Sequence, residues 1–194
     1  MPESCRRKTA TNSAFAAMDK ISSGSKCYLR AVTADDAEAF YKWYCCGEVQ
    51  QHLANPWWNP SIDFDSYRLY RFAQYLEPNP TSGVLVICTT EGAPIGLVNY
   101  FDLDEANRIC EVGIIIGELA VWRQGYALAA LGLLIEFLVS KFDIAAIRAR
   151  ILKENVASQE LFRKVGFVQS GSSEELGFQF FEYLYTVANR EDLL

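Results

Sequence analysis

The spacing of apolar residues changes several times along the chain, and each change predicts a different element. Residues 26–32 alternate between apolar and polar side chains, which is typical of a half-buried strand. The runs 83–90, 95–104 and 109–116 are rich in Val, Ile and Leu and predict three more strands, the first two joined by a tight turn. A helical spacing then replaces the strand pattern, at Leu128, Leu131, Ile135, Leu138 and Phe142.

Capping and turn residues mark where the other helices begin and end. Thr33 precedes the acidic stretch ADDAEAF and predicts a first helix that runs to about Cys46. A loop with two prolines follows, and a second helix is expected over residues 63–76. Asn155 is a good N-cap, and Gly166 a good C-terminal stop, for a short helix between them.

The predicted elements follow one another as β-α-α-β-β-β-α-β-α-β-β, with the fifth strand at 144–152 and a hairpin at 167–187. The long helix joins strands four and five by a crossover, which implies one parallel pair in an otherwise antiparallel sheet. The predicted fold class is therefore α+β, an α/β sandwich. It consists of a mixed, mostly antiparallel sheet of six to seven strands and about four helices.

Length and composition limit the number of domains. The chain has 194 residues, 51% of them hydrophobic, which is enough for one sizeable core. We expect a single folded domain over residues 26–194, preceded by a polar, Ser-rich and disordered tail over residues 1–25. An organellar transit segment is the alternative for this tail, although Glu3 and Asp19 argue against it.

Charge, hydropathy and cysteine spacing exclude several classes of function. The net charge of −6 and the pI near 4.9 argue against a nucleic-acid partner. No run reaches the ~18 uncharged apolar residues that a membrane span needs. The six cysteines form no CxxC pair, so we expect free thiols in a reducing, cytoplasmic compartment and no metal site. His52 is the only histidine, which disfavours a nucleophilic site built on a Ser/His or Cys/His pair.

The long apolar helix begins in an unusual way. Its sequence RQGYALAALGLLIEF opens with Arg123, Gln124 and Gly125. A helix N-terminus presents free N–H groups and about half a positive charge, Arg123 adds a full charge, and Gly125 allows a ligand to approach closely. These features predict an anion site, with a simple turn and a solvated arginine as the alternative.

A second segment, ENVASQELFRKVGF, lies one strand downstream and carries a pattern of Asn155, Ser158, Leu161, Phe162, Lys164, Gly166 and Phe167. Together the two segments resemble the GNAT superfamily of acetyl-CoA-dependent N-acetyltransferases, in particular its ribosomal-protein N-terminal alanine and spermidine acetyltransferase branches. The phosphate loop departs from the family pattern, because Trp122 stands where Gln or Arg is usual and Arg123 where Gly is common.

The resemblance implies acetyl-CoA as co-substrate, bound in a V-shaped split between strands four and five. Its pyrophosphate would rest on the backbone N–H groups at the helix start, its pantetheine amides would pair with strand four, and Asn155 would flank the thiol. The residues that the resemblance assigns to acetyl-CoA are Ile114, Ile115, Ile116, Trp122, Arg123, Gln124, Gly125, Tyr126, Ala127, Leu128, Asn155, Ser158, Phe162 and Lys164.

The implied reaction is direct attack of a neutral amine on the thioester. Deprotonating an alkylammonium of pKa ~10.4 at pH 7 costs roughly 4–5 kcal/mol, whereas an α-amino group near ~8 costs about 1 kcal/mol. Glu111 is the expected base, acting through water, with a surface carboxylate as the alternative. Phe162 replaces the tyrosine that protonates the thiolate in many relatives, so Ser158 is the expected acid, with a helix-capping serine as the alternative.

The acceptor is expected to bind to the first two helices and their loop. Glu48, His52, Trp57 and Trp58 lie there, and tryptophans can hold a cation or an aliphatic amine. Tryptophans that fill the core are the alternative. The expected partners are a small amine or a peptide N-terminus, without nucleic acid or membrane, and a homodimer is left open. Two rival functions are a weakly catalytic CoA-binding regulatory protein and a protein-interaction module.

Overall fold

The computed structural model describes residues 26–187, so the prediction of a disordered tail over residues 1–25 lies outside the described residues. Seven strands form one sheet: β1 (Cys27–Ala31), β2 (Gly83–Thr89), β3 (Pro94–Asp104), β4 (Ile109–Ile116), β5 (Ala146–Leu152), β6 (Val168–Glu175) and β7 (Phe178–Thr186). The helices are α1 (Ala37–Cys45), α2 (Gly47–Gln50), α3 (Phe64–Tyr70), α4 (Tyr126–Phe142) and α5 (Val156–Val165). Three 3-10 turns add Ala34–Asp36, Phe72–Tyr75 and Leu119–Val121.

The strands lie in the order β1-β2-β3-β4-β5-β7-β6. Every neighbouring pair in this sheet is antiparallel except β4 and β5, which the crossover helix α4 connects. The predicted α+β fold with a mixed, mostly antiparallel sheet is therefore confirmed. The parallel pairing covers only Ile109–Glu111 against Ala146–Arg148. Beyond Glu111 the two strands diverge, which confirms the predicted V-shaped split.

Helices cover the two faces of the sheet unequally. The long helix α4 has apolar side chains on nearly all sides and is buried with α5 against one face, where Leu131, Leu134 and Leu138 are fully buried. On the other face, α1 and α3 pack over the first half of the sheet. Side chains alternate along β4, so Ile114 and Ile116 contact the core on the face covered by α4 and α5. Ile115 contacts the core on the face covered by α1 and α3.

The first two predicted helices are more broken than their sequence pattern indicates. The helix expected from Thr33 to Cys46 is a 3-10 turn followed by α1, because Asp36 folds back and accepts a hydrogen bond from the backbone N–H of Thr33. Cys46 is extended and ends α1, and the short helix α2 follows it from Gly47 and extends into the stretch predicted as a loop. The described chain thus holds five helices instead of about four.

None of the described helices is long and apolar enough to cross a membrane. Among the cysteines of the described region, Cys27, Cys88 and Cys110 are buried. Burial raises the pKa of Cys27 to about 11 and that of Cys110 to about 12. These thiols therefore stay protonated and unreactive near neutral pH.

Candidate active site

The split between β4 and β5 opens a cleft of about 750 Å³. Past Glu111, the edge of β4 that faces away from β3 has no strand partner up to Ile116. Unpaired backbone groups along such an edge can form hydrogen bonds with an extended ligand that contains amides. The cleft continues from this edge along the start of α4 and the first turns of α5.

The turn before α4 presents a row of unused donors. Arg123 and Gly125 both have positive φ, at 61° and 86°, which turns successive N–H groups toward one side. Five backbone N–H groups in this turn and in the first turn of α4 have no hydrogen-bond acceptor among residues 26–187, those of Arg123, Gly125, Tyr126, Ala127 and Leu128. The free donors and the helix dipole together fit a pyrophosphate.

Three cationic side chains surround these donors. Arg123 and Lys164 line the cleft, and the Lys26 ammonium donates a hydrogen bond to the Gln124 carbonyl at 2.7 Å. A Cβ built on Gly125 would meet only this Lys26 ammonium, at 4.0 Å, so the space in front of the turn is open. Sequence reasoning missed Lys26, because it is separated from the turn by about a hundred residues and carries no local motif.

Trp122 connects the end of β4 to the helix start. Its indole N–H donates a hydrogen bond to the Ile116 carbonyl at 2.9 Å. Its ring lies 5.8 Å from the His52 ring, and both residues line the cleft. Trp122 therefore forms part of the wall on the side where the acceptor loop approaches.

Asn155 organises the part of the cleft wall at the start of α5. Its side-chain oxygen accepts a hydrogen bond from the Ser158 backbone N–H at 3.1 Å, as expected of an N-cap. Its amide nitrogen donates to the His52 carbonyl at 3.3 Å. The Ser158 side chain lines the cleft, and its hydroxyl makes no hydrogen bond to another described residue. A hydroxyl donor and an imidazole thus lie on neighbouring walls.

Three residues expected at the site do not line the cleft. Glu111 is buried, and one of its carboxylate oxygens accepts a hydrogen bond from Arg150 at 2.9 Å. Phe162 is 2% exposed and packs edge-on against Phe167 in the core. The Gln124 side chain turns back to the Ala120 carbonyl instead. The Arg150 partner of Glu111 lies on another strand, so local sequence does not reveal it, whereas the contacts of Phe162 and Gln124 are with residues close by in the sequence.

The remaining predicted cofactor residues are distributed as follows. Those that line the cleft are Ile114, Ile115, Ile116, Trp122, Arg123, Gly125, Tyr126, Ala127, Leu128, Asn155, Ser158 and Lys164. Six further residues line it that sequence reasoning did not assign to the site, namely Val49, Leu53, Val121, Ala157, Glu160 and Leu161. Helical spacing from Asn155 would have placed Ala157 and Glu160 near the cap.

Of the four predicted acceptor residues, only His52 lines the cleft. Glu48 is exposed, and Trp57 is 64% exposed. The Trp58 indole donates to the Tyr44 carbonyl at 2.9 Å and so holds the loop against α1. Trp57 and Trp58 are therefore neither core residues nor part of the cleft wall.

A second, smaller cavity of about 260 Å³ lies between α1, α2 and α3. Val49, Leu53 and Ile115 line both this cavity and the cleft, so the two are adjacent. Its wall contains the aromatic residues Phe40, Trp43, Tyr44, Tyr67 and Tyr75. The first three follow helical spacing in α1, and this spacing is the signal by which sequence could have found the cavity. A second substrate bound here would face one bound in the cleft.

Residues 26–168 match a family model described as the acetyltransferase (GNAT) domain. The chain belongs to the GNAT family of acetyltransferases. No curated protein matches the sequence. The enzyme is accordingly an N-acetyltransferase with acetyl-CoA as co-substrate, and the free N–H groups before α4 fit the phosphates of CoA.

Solved structures of low identity share this fold. Spermidine N-acetyltransferase from Vibrio cholerae, in complex with CoA and spermine, is 16% identical, with a TM-score of 0.70 over 84% of this chain and 96% of that one. The aminoglycoside acetyltransferase AAC(6')-Ib with coenzyme A is 14% identical, with a TM-score of 0.70 over 86% and 98%. A GNAT acetyltransferase from Bacillus anthracis is 14% identical, with a TM-score of 0.69 over 84% and 95%.

Proposed function

We propose that this enzyme transfers the acetyl group of acetyl-CoA to a primary amine by direct attack in a ternary complex. The observation that supports the proposal is that Val49, Leu53 and Ile115 line both the cleft and the smaller cavity, so the two spaces are adjacent. A thioester at this end of the cleft would meet an amine from the smaller cavity without passing through solvent. Such mutual positioning is the main contribution of a site that forms no covalent intermediate.

The acyl transfer proceeds in three steps after the amine has lost its proton. The amine nitrogen attacks the carbonyl carbon, the carbon–sulfur bond breaks, and the departing sulfur takes a proton. We assign this proton to the Ser158 hydroxyl, which lines the cleft and has no other described partner. Ser158 recovers its proton from solvent. A CoA thiol with a pKa near ~8.5 is a tolerable leaving group, so the donor contributes about 10²-fold.

We assign the base to His52 and not to Glu111. The imidazole lines the cleft, whereas the Glu111 carboxylate is engaged by Arg150 and lies outside both cavities. An imidazole can take the ammonium proton near neutral pH and pass it to water. The hydrogen bond from Asn155 to its carbonyl fixes the backbone of His52 beside the start of α5.

Turnover of acetyl-CoA against a panel of primary amines tests the proposal. Peptide N-termini, polyamines, amino acids and aminoglycosides cover the acceptor classes, and mass spectrometry of the acetylated amine avoids interference from the thiols of the protein. We expect product from at least one class. Tight CoA binding without any product would favour a regulatory protein, and the absence of CoA binding would favour an interaction module.

A further inference from the structure

The charge of the smaller cavity distinguishes between classes of amine. Its wall contains five aromatic rings, the amides of Gln50, Asn55 and Gln74, and the guanidinium of Arg71. It contains no aspartate or glutamate. A polyamine carries at least one further ammonium besides the reacting one, and this charge would lie beside a guanidinium with no carboxylate to offset it.

Among the described residues, Arg71 is the only cation of this wall. It follows α3 directly, and among the described residues it takes part in no ion pair and no side-chain hydrogen bond. Arg68, one turn earlier, is instead paired with Asp65 at 3.5 Å. The guanidinium of Arg71 is thus available to a ligand, and a planar fork of donors matches a carboxylate.

Two buried groups add further donors to the same cavity. Gln50 is 6% exposed, and its side-chain oxygen accepts a hydrogen bond from Asn55, which leaves the amide N–H groups without a described partner. Tyr67 is 2% exposed, and its hydroxyl has no hydrogen bond to another described residue. Burial raises the pKa of Tyr67, so this hydroxyl stays protonated and can donate. Unmet donors in a cavity favour an acceptor-rich ligand.

We propose that the acceptor is a primary amine with an apolar body and a carboxylate, the chemistry of a free apolar or aromatic amino acid. The inference rests on the proposed function, because it names the substrate class of that site. The amine would face the cleft at Ile115, the side chain would contact the aromatic wall, and the carboxylate would pair with Arg71. A volume of about 260 Å³ suits a small acceptor better than an aminoglycoside.

Matched acceptors and matched variants test this inference. We would measure kcat/KM for phenylalanine, phenylalaninamide and spermidine with the parent, R71Q, R71K and the control R68Q. We expect R71Q to lower kcat/KM for phenylalanine at least tenfold, mainly through KM, and to leave phenylalaninamide and the KM of acetyl-CoA unchanged. R71K should restore part of the loss, and R68Q should behave like the parent.

Phenylalaninamide lacks the carboxylate of phenylalanine, and this change also lowers the pKa of its amine. The decisive comparison is therefore between the parent and R71Q with the same acceptor. Equal effects of R71Q on phenylalanine and phenylalaninamide would overturn the inference, as would spermidine being the better substrate of the parent. Calorimetry of phenylalanine binding to the CoA-loaded protein separates the two proposals. Arg71-dependent binding without turnover would reject the proposed reaction and show that the cavity binds an amino acid that is not acetylated. The absence of phenylalanine binding would reject the inference alone.

Discussion

The side-chain amide of Asn155 donates a hydrogen bond to the backbone carbonyl of His52 at 3.3 Å, across 103 positions of sequence. The same side chain caps α5 through the Ser158 backbone N–H. One residue therefore contacts both the helix that carries Ser158, the proposed acid, and the segment that carries His52, the proposed base. The cap is a local feature of the sequence, whereas the contact with His52 depends on how α2 packs beside α5.

Two substitutions of Asn155 separate these tasks. N155A removes the cap and should lower the free energy of unfolding by about 1 kcal/mol. N155D keeps a capping oxygen but cannot donate to the His52 carbonyl, so we expect near-parental stability with lowered kcat. Urea denaturation and acetyl-CoA turnover of both variants check this. Parental kcat in N155D would show that the bond to His52 does not position the base.

Ser158 is expected to protonate the departing thiolate. S158A removes this donor and leaves the cap intact, because the cap uses the Ser158 backbone and not its hydroxyl. We expect turnover to fall by about 10²-fold with unchanged CoA affinity. Single-turnover kinetics and calorimetry measure the two quantities. If S158A turns over like the parent, the acid is solvent water.

Gly125 is expected to hold the CoA phosphates close to the backbone. G125D adds a negative charge beside the free N–H groups, so the CoA Kd should rise at least tenfold. Gly177 offers a matched control in the turn between β6 and β7, because it also has positive φ and open space at its Cβ position. G177D imposes the same strain and charge away from the cleft. Equal CoA affinities of G125D and G177D would contradict the phosphate site.

The ion pair of Asp36 with Arg30 predicts a dependence of stability on pH. Burial alone would raise the pKa of Asp36, but hydrogen bonds from Arg30, at 2.6 and 2.7 Å, and from Thr33 outweigh it and hold the pKa below its ordinary value. A lowered folded-state pKa stabilises the fold above the unfolded-state pKa of ~3.9, and this stabilisation is lost as the pH falls through the folded value.

We therefore expect D36N to lower the free energy of unfolding by roughly 1.5–3 kcal/mol at pH 7. The difference from the parent should narrow below about pH 4, where the parent loses its own carboxylate. Urea denaturation at several pH values measures both. The control D65N breaks an exposed pair and should cost about 0–1 kcal/mol. A D36N deficit that stays constant down to pH 3 would contradict the assignment.

Sequence by itself determined the order of the elements, and it selected most of the residues that line the cleft. Alternation and helical spacing follow from backbone geometry, so they located the seven strands and the buried helix α4. Asn155 and Gly166 bound α5 because a cap and a left-handed C-terminal residue act within one turn. The crossover connection also predicted the one parallel pair among the described strands, whereas the split was predicted from the family resemblance.

Only the tertiary structure decided which side chains face the two cavities. Lys26 reaches Gln124 because β1 packs beside the start of α4. Arg71 lines the smaller cavity because α3 lies over the sheet beside α1. Glu111 is withdrawn by Arg150 from a neighbouring strand. Periodicity tells which face of an element is apolar. Which partner meets a polar side chain depends on contacts between distant elements, and no local pattern encodes them.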